Sequence, residues 1–383
     1  MTLQEILSNE ELRRHEFPVV SEKIYLAHAG VCPLPRRVVD AIKNYSDACM
    51  KGDQELVIPD GLFRDTRVAA AQLLQAKPEE IALIGPTSLA LSFIAAGVKL
   101  RRGENVVVYF DDYPSNVYPW MALADRGVQV RFLNIRELGK IRSSDVIGQI
   151  DESTKLVALA SSHFLSGYRI DLEKIGKALH DRGILFCVDA IQTLGAFPTT
   201  VKNVDFLAAD SHKWLLGPCA GGLMYVQKEA QARLKPTTQG WHNIRCPNYS
   251  AQEEIVYRDD ARRYEAGTAN ILGIVGLKAS LDLVLELGID TISQELWRKR
   301  SWIVPALREK GYQVLNAEAL QQDASGCITF TKPDTDMAAI YSQLLSANII
   351  TSLRSDRTGK QYLRLSPHFY NTDQELSRTL DLL

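Results

Sequence analysis

Six cysteines in 383 residues, at 32, 49, 187, 219, 246 and 327, include no CxxC pair. That spacing excludes a thiolate zinc site and a disulfide framework, and no metal is expected. A reducing cytoplasm is the expected compartment. No apolar run is long enough to span a bilayer, and the opening MTLQEILSNEELRRHEF has no secretory apolar core. An excess of one charge is also missing: 44 Lys and Arg against 46 Asp and Glu leave a formal net charge of −2. Neither nucleic acid nor a membrane surface is therefore an expected partner. No G-x-G-x-x-G follows any candidate strand, which ranks a nicotinamide dinucleotide enzyme last. Internal repeats and low-complexity segments are absent. What remains is an ordinary globular composition, 46% hydrophobic and 23% charged, long enough for two domains.

Continuous apolar runs rich in Val, Ile and Leu predict strands at Ile81–Ile84, Asn105–Phe110, Val128–Leu133, Leu156–Ala160, Ile184–Val188, Val204–Ala208 and Leu223–Val226. Strands covered on both faces read this way. Helical periodicity lies between several of them, as at Asp171–Arg182, where Leu172, Ile175 and Leu179 share a face and Gly183 is the stop. The fold class is α/β, a mostly parallel sheet flanked by helices, with ligands expected beyond the carboxyl ends of the strands. From about Gly267 the pattern changes to helices at Ile271–Leu287, Thr291–Lys310 and Thr335–Ala347, short strands at Tyr312–Leu315, Gly326–Thr331 and Tyr362–Leu365, and a final helix capped by Thr372 and Glu375. The expected division is a large domain, 21–266, and a smaller α+β domain of 1–20 with 267–383. The polar stretch Ser352–Lys360 reads as a mobile loop.

Two apolar runs end on chemistry. ILFCVDAIQTLGAFP places Asp189 at a strand end with Gln192 three residues on, and ADSHKWLLGPCAGG ends the next run on Asp210, Ser211, His212 and Lys213. Asp189 alone reads as a turn or cap aspartate. Lys213 alone reads as a strand's exit to solvent. Together they offer an acid and an amine at one sheet edge, which is what a pyridoxal phosphate site needs. The lysine forms a Schiff base with the aldehyde, and the aspartate keeps the pyridine nitrogen protonated. A partly desolvated lysine also supplies the free amine that such chemistry uses.

At this point VDAIQTLGAFP followed by VDFLAADSHKWLLGP resembles the class V aminotransferases, fold-type I enzymes that include cysteine desulfurases, kynureninases and isopenicillin N epimerase-like proteins. The resemblance runs from about Tyr25 to the carboxyl terminus. It implies pyridoxal 5'-phosphate bound through Lys213, with Asp189 on the pyridine nitrogen, Gln192 near the phenolic oxygen, and Ser211 and His212 at the phosphate. Thr87 and Ser88, in LIGPTSLALSFIAAGV, would bind phosphate at a helix start, though a plain N-cap explains them equally well. Tyr113, in VVVYFDDYPSNVYPW, would stack on the ring where desulfurases carry a histidine. His163 and His28 are candidate substrate contacts, each with a plain structural reading beside it.

In RRYEAGTANILGI the resemblance makes Thr268 a phosphate ligand lent across a homodimer interface, and in QYLRLSPHFYNTDQEL it makes Arg364 the grip on the substrate α-carboxylate. Desulfurases keep a sulfur-accepting cysteine shortly before this arginine. Here ITSLRSDRTGKQ has none, and Arg354 or Arg357 would shape substrate choice instead. The expected function is a pyridoxal-phosphate enzyme acting on a small-molecule amino acid, with a lyase, isomerase or transferase outcome. The alternatives are a cysteine or selenocysteine lyase without the relay cysteine, and an inactive binding scaffold. The intact set of Asp189, Gln192, His212, Lys213 and Arg364 argues against the scaffold.

Overall fold

The computed structural model describes residues 1–383. Thirteen strands form in chain order: β1 Ile24–Tyr25, β2 Ile81–Ala82, β3 Asn105–Val108, β4 Gln129–Phe132, β5 Thr154–Ala160, β6 Leu185–Asp189, β7 Phe206–Asp210, β8 Gly222–Val226, β9 Gln313–Val314, β10 Ile328–Thr331, β11 Ile349–Ile350, β12 Ser352–Ser355 and β13 Gln361–Leu365. All seven apolar runs predicted as strands join one sheet, ordered β2-β8-β7-β6-β5-β3-β4. Pairing is parallel from β7 through β4 and antiparallel only where β8 meets β7 and β2. The expected α/β class is what forms. Strand order reverses between β5 and β3, so a crevice opens beyond their carboxyl ends.

The sheet is buried on both faces because its residues alternate between two cores. Val107, Val157, Leu159, Phe186, Val188 and Leu207 fill one. Val106, Val108, Leu156, Ala158, Leu185 and Phe206 fill the other. A period of two with apolar residues at both phases leaves no solvated face. The helix Ile271–Leu287, which follows the expected boundary at 267, packs on the helices Arg36–Cys49 and Leu62–Leu74 and shares the first core.

A third core, including Ile303, Leu307, Ile328, Phe330, Leu363 and Leu365, lies under a four-stranded antiparallel sheet ordered β12-β13-β10-β9. Here the structure corrects one expectation. Residues 352–360 are not a mobile loop but one strand and the turn of a hairpin. Asp356 organises the turn, accepting the N–H groups of Thr358 at 2.9 Å and Lys360 at 3.1 Å, while the Tyr362 hydroxyl donates to its other oxygen at 3.0 Å. A short polar stretch closing on its own backbone carries no apolar signal, so composition alone misreads it. The last helix, Asp373–Asp381, opens with the expected Thr372–Glu375 capping box. Arg13, on the helix Glu10–Glu16, ties the amino terminus to it through Glu375 at 2.7 Å.

One short segment stitches these parts together. β1 pairs with β11, and the backbone N–H of Ser366 donates to Leu26 O at 2.8 Å. A few residues later, the Cys32 N–H donates to His212 O at 2.7 Å.

Candidate active site

Beyond the carboxyl ends of β6 and β7 lies a cavity of about 530 Å³. Asp189 ends β6, and β7 runs through Asp210 into the loop that carries Lys213. The loop is held by its apolar residues: Trp214, Leu215 and Leu216 are all buried. A Cβ on Gly195 would come within 2.6 Å of Trp214 O, and one on Gly326 within 2.4 Å of the indole ring. Only glycine at both positions lets the loop seat this closely. Lys213 is therefore 8% exposed, with its Nζ 5.4 Å from the centre of the Tyr113 ring.

Of the expected site residues, Thr87, Ser88, Tyr113, Asp189, Gln192, His212, Lys213 and Arg364 line this cavity together. Thr87 and Ser88 begin the helix Thr87–Gly97, whose first N–H groups have no partner within the helix. Thr87 Oγ1 also accepts the Asp210 N–H at 2.8 Å, and Asp210 bonds His212 Nδ1 at 2.8 Å. Helix start, strand end and histidine are thus fixed as one unit. Gln192 donates to Ala29 O at 3.1 Å and accepts from the Trp214 indole at 3.0 Å, which fixes its amide. Arg364, on β13, opposes Thr329 and Ser352 and donates through Nη1 to Phe164 O. Its Nε and Nη2 are buried with no partner at all.

Burial sets the electrostatics. Asp189 is raised to about 6 by desolvation, with the neighbouring Asp112 adding to the rise. Desolvation pulls Lys213 down to about 8, against the attraction of Asp189 and with help from Arg364. A lysine so placed has an accessible neutral amine near neutrality, and perturbed groups of this kind cluster at functional sites.

Four expected residues stand outside. Ser211 is buried with its hydroxyl donating to Pro218 O at 2.8 Å. His28 is held by Ser366 O at 2.9 Å and the Tyr370 hydroxyl at 2.6 Å. His163 lies between Asp111 O at 2.9 Å and Ser166 Oγ at 3.1 Å. Thr268 is exposed beside a smaller hollow that includes Trp241. Sequence reasoning missed Phe164, which lines the cavity next to His163 and meets the Tyr113 ring edge-on at 5.6 Å between centroids. It also missed Asp112, whose carboxylate fixes the Tyr113 N–H at 2.7 Å and Asn116 Nδ2 at 3.1 Å. The Asp-Asp doublet before Tyr113 was the available signal.

The donor set fits pyridoxal phosphate. A helix start and hydroxyls suit a phosphate, a flat aromatic suits a ring, a buried acid suits a pyridine nitrogen, and a desolvated amine suits an aldehyde. Arg364 adds two buried guanidinium nitrogens without partners, which suit a carboxylate.

The chain is similar to several known proteins. A probable cysteine desulfurase of Methanothermobacter thermautotrophicus is 32% identical over 295 residues, covering 75% of this chain and 73% of that protein. An uncharacterised aminotransferase of Bacillus subtilis is 29% identical over 378 residues, covering 97% and 96%. The apo structure of a cysteine desulfurase from Thermococcus onnurineus NA1 superposes with a TM-score of 0.88 at 24% identity, over 97% of this chain and 96% of that one, which shows the same fold. The family model described as aminotransferase class-V matches residues 24–379, and the chain belongs to that family.

Proposed function

We propose that this class V family member is a pyridoxal-phosphate-dependent enzyme that moves a proton at Cα of an amino acid. The observation that carries the reading is Lys213 and Asp189 brought into one cavity by neighbouring strands. When bound, the cofactor supplies an electron-accepting ring that stabilises negative charge at Cα. Thr87, Ser88 and His212 would hold its phosphate, Tyr113 would lie against its ring, and Asp189 would pair with its pyridine nitrogen. Lys213 would hold its aldehyde, and its Nζ is the group placed to carry the Cα proton. Arg364 grips the α-carboxylate through its two free nitrogens. Ser211, His28 and His163 act on the site from behind, by holding backbone. The same proton movement serves elimination, epimerisation and transamination.

The test is spectroscopic. Purified protein given pyridoxal phosphate is expected to gain the visible absorption of a lysine-bound cofactor and to lose it in Lys213→Ala. A protein that stays colourless and retains no cofactor would sink the reading.

A cysteine or selenocysteine lyase is the second reading, favoured by the probable cysteine desulfurases among the relatives. None of the six cysteines lines the cavity, so no relay thiol stands ready. Alanine formation from cysteine or selenocysteine no greater than in Lys213→Ala would remove it. The proposal includes a homodimer in which Thr268 reaches the partner's phosphate site; its exposure beside Trp241 supports this, and sedimentation tests it. It also includes a reducing cytoplasmic setting, supported by six free cysteines, and a smaller carboxyl-terminal domain, supported by the separate third core, drawn mostly from Ile303 onward; the helix Ile271–Leu287 and residues Leu3, Ile6 and Phe17 pack in the first core instead. No helix is long and apolar enough to cross a membrane.

A further inference from the structure

A second arginine shares the cavity wall with Arg364. In the hairpin of β12 and β13, Ser352 opposes Arg364 and Arg354 opposes Tyr362. Side chains alternate across a sheet, so Ser352, Arg354, Tyr362 and Arg364 share one face. Leu353, Leu363 and Leu365 occupy the other, against the third core. Arg354 is thus the diagonal neighbour of Arg364, about 7 Å away by strand geometry.

Both arginines line the cavity. Its 21 lining residues include three cationic groups, Lys213, Arg354 and Arg364, and one carboxylate, Asp189. The nearby Arg357 is different: it pairs with Asp111 at 2.9 Å and its guanidinium lies 5.1 Å from the centre of the Phe110 ring. Arg354 makes no ion pair and no hydrogen bond. Its charge instead adds to the positive field acting on Lys213 and Arg364. The Thr351 hydroxyl, buried on the same wall, is also without a partner. Arg364 and Thr351 place buried, unpartnered donors at this end of the cavity, and half-buried Arg354 adds a second guanidinium beside them, a wall suited to an anion. An amino acid with one carboxylate satisfies Arg364 and leaves Arg354 facing the cavity uncompensated.

We infer that Arg354 is a second anion-binding group, and that the substrates are α-amino acids whose side chain carries its own carboxylate or an equivalent acid. The inference rests on the amino-acid reading above and deepens it.

The test separates the two. Cofactor loading is first established by absorbance, which does not depend on Arg354. Calorimetric titration of the loaded protein then compares glutarate with butyrate, which differ by one carboxylate and carry no reactive amine. Glutarate is expected to bind about tenfold tighter or more, the difference made by one charge-assisted contact. In Arg354→Gln the preference should fall below about twofold with butyrate affinity unchanged; in Arg357→Gln it should persist. Aspartate, glutamate and cysteine sulfinate should likewise perturb the visible spectrum at lower concentration than alanine or cysteine. Equal binding of glutarate and butyrate by the wild-type protein, or a preference that survives Arg354→Gln, would overturn the inference and leave the cofactor reading intact.

Discussion

Behind the cavity, His28 is held by Ser366 and Tyr370, His163 by Asp111 and Ser166, and His368 by Trp214 O at 3.0 Å and the Phe369 N–H at 2.9 Å. Every ring nitrogen in this layer has a partner. At the cavity wall, Arg364 and Thr351 keep polar atoms that are buried and bare. The two regions are similarly dry, so burial alone does not mark function. An unmatched buried donor costs about 1–3 kcal/mol, and at Arg364 and Thr351 the donors line a cavity where a bound ligand would relieve that cost.

Substitutions should separate the two regions. The largest effect is expected at Lys213. Lys213→Ala should lower kcat by about 10³-fold or more, with a melting temperature no lower than the wild type, since a buried and unpaired amine is removed. Arg364→Gln comes next, with kcat/KM down about 10²-fold through loss of a bidentate contact and little change in melting. In the histidine layer the pattern should invert. His163→Gln should cost about 1–2 kcal/mol of stability while leaving turnover of the folded, loaded protein within about twofold. A His163 variant with normal melting and collapsed kcat would break the comparison, as would an Arg364 variant that unfolds.

Acid gives the smallest and most diagnostic effect, because the two regions titrate in opposite senses. Burial lowers His28 and His163 from 6.5 to about 4. Between those values the unfolded chain binds more protons, so this contribution is present above pH 6.5 and is lost as pH falls towards 4. Burial raises Asp189 from 3.8 to about 6. There the folded chain binds more protons, so acidification through that window favours the fold. Denaturant midpoints measured across it should fall less on acidification in His163→Gln than in the wild type, and more in Asp189→Asn. Parallel curves for all three proteins would refute the assignment.

Most of the fold was legible because its signals are local and redundant. Seven continuous apolar runs became seven strands, and the helix at Ile271–Leu287 formed with the predicted bounds. Asp189 and Lys213 were legible because both lie where an apolar run stops. Ser211 and His163 misled because adjacent residues at a strand end point in different directions, so His212 and Phe164 reach the cavity while their neighbours do not. The first strand and turn of the hairpin, residues 352–360, were illegible for another reason, although its second strand was expected at Tyr362–Leu365. Its cavity face is polar, and pairing across its turn, not local hydrophobicity, makes it a sheet.

Residues 24–32 touch the carboxyl-terminal sheet region at Ile350 and Ser366 and the lysine loop at His212. For protein engineering this makes the obvious cut unsafe. A fragment ending near 266 would carry β1 with no strand to join, and a chimera that exchanges residues 267–383 with a relative's would set a foreign β11 against the native β1. Recombination between family members should succeed when the short amino-terminal segment travels with the distant end of the chain, so that the inherited unit is defined by pairing and not by position along the gene.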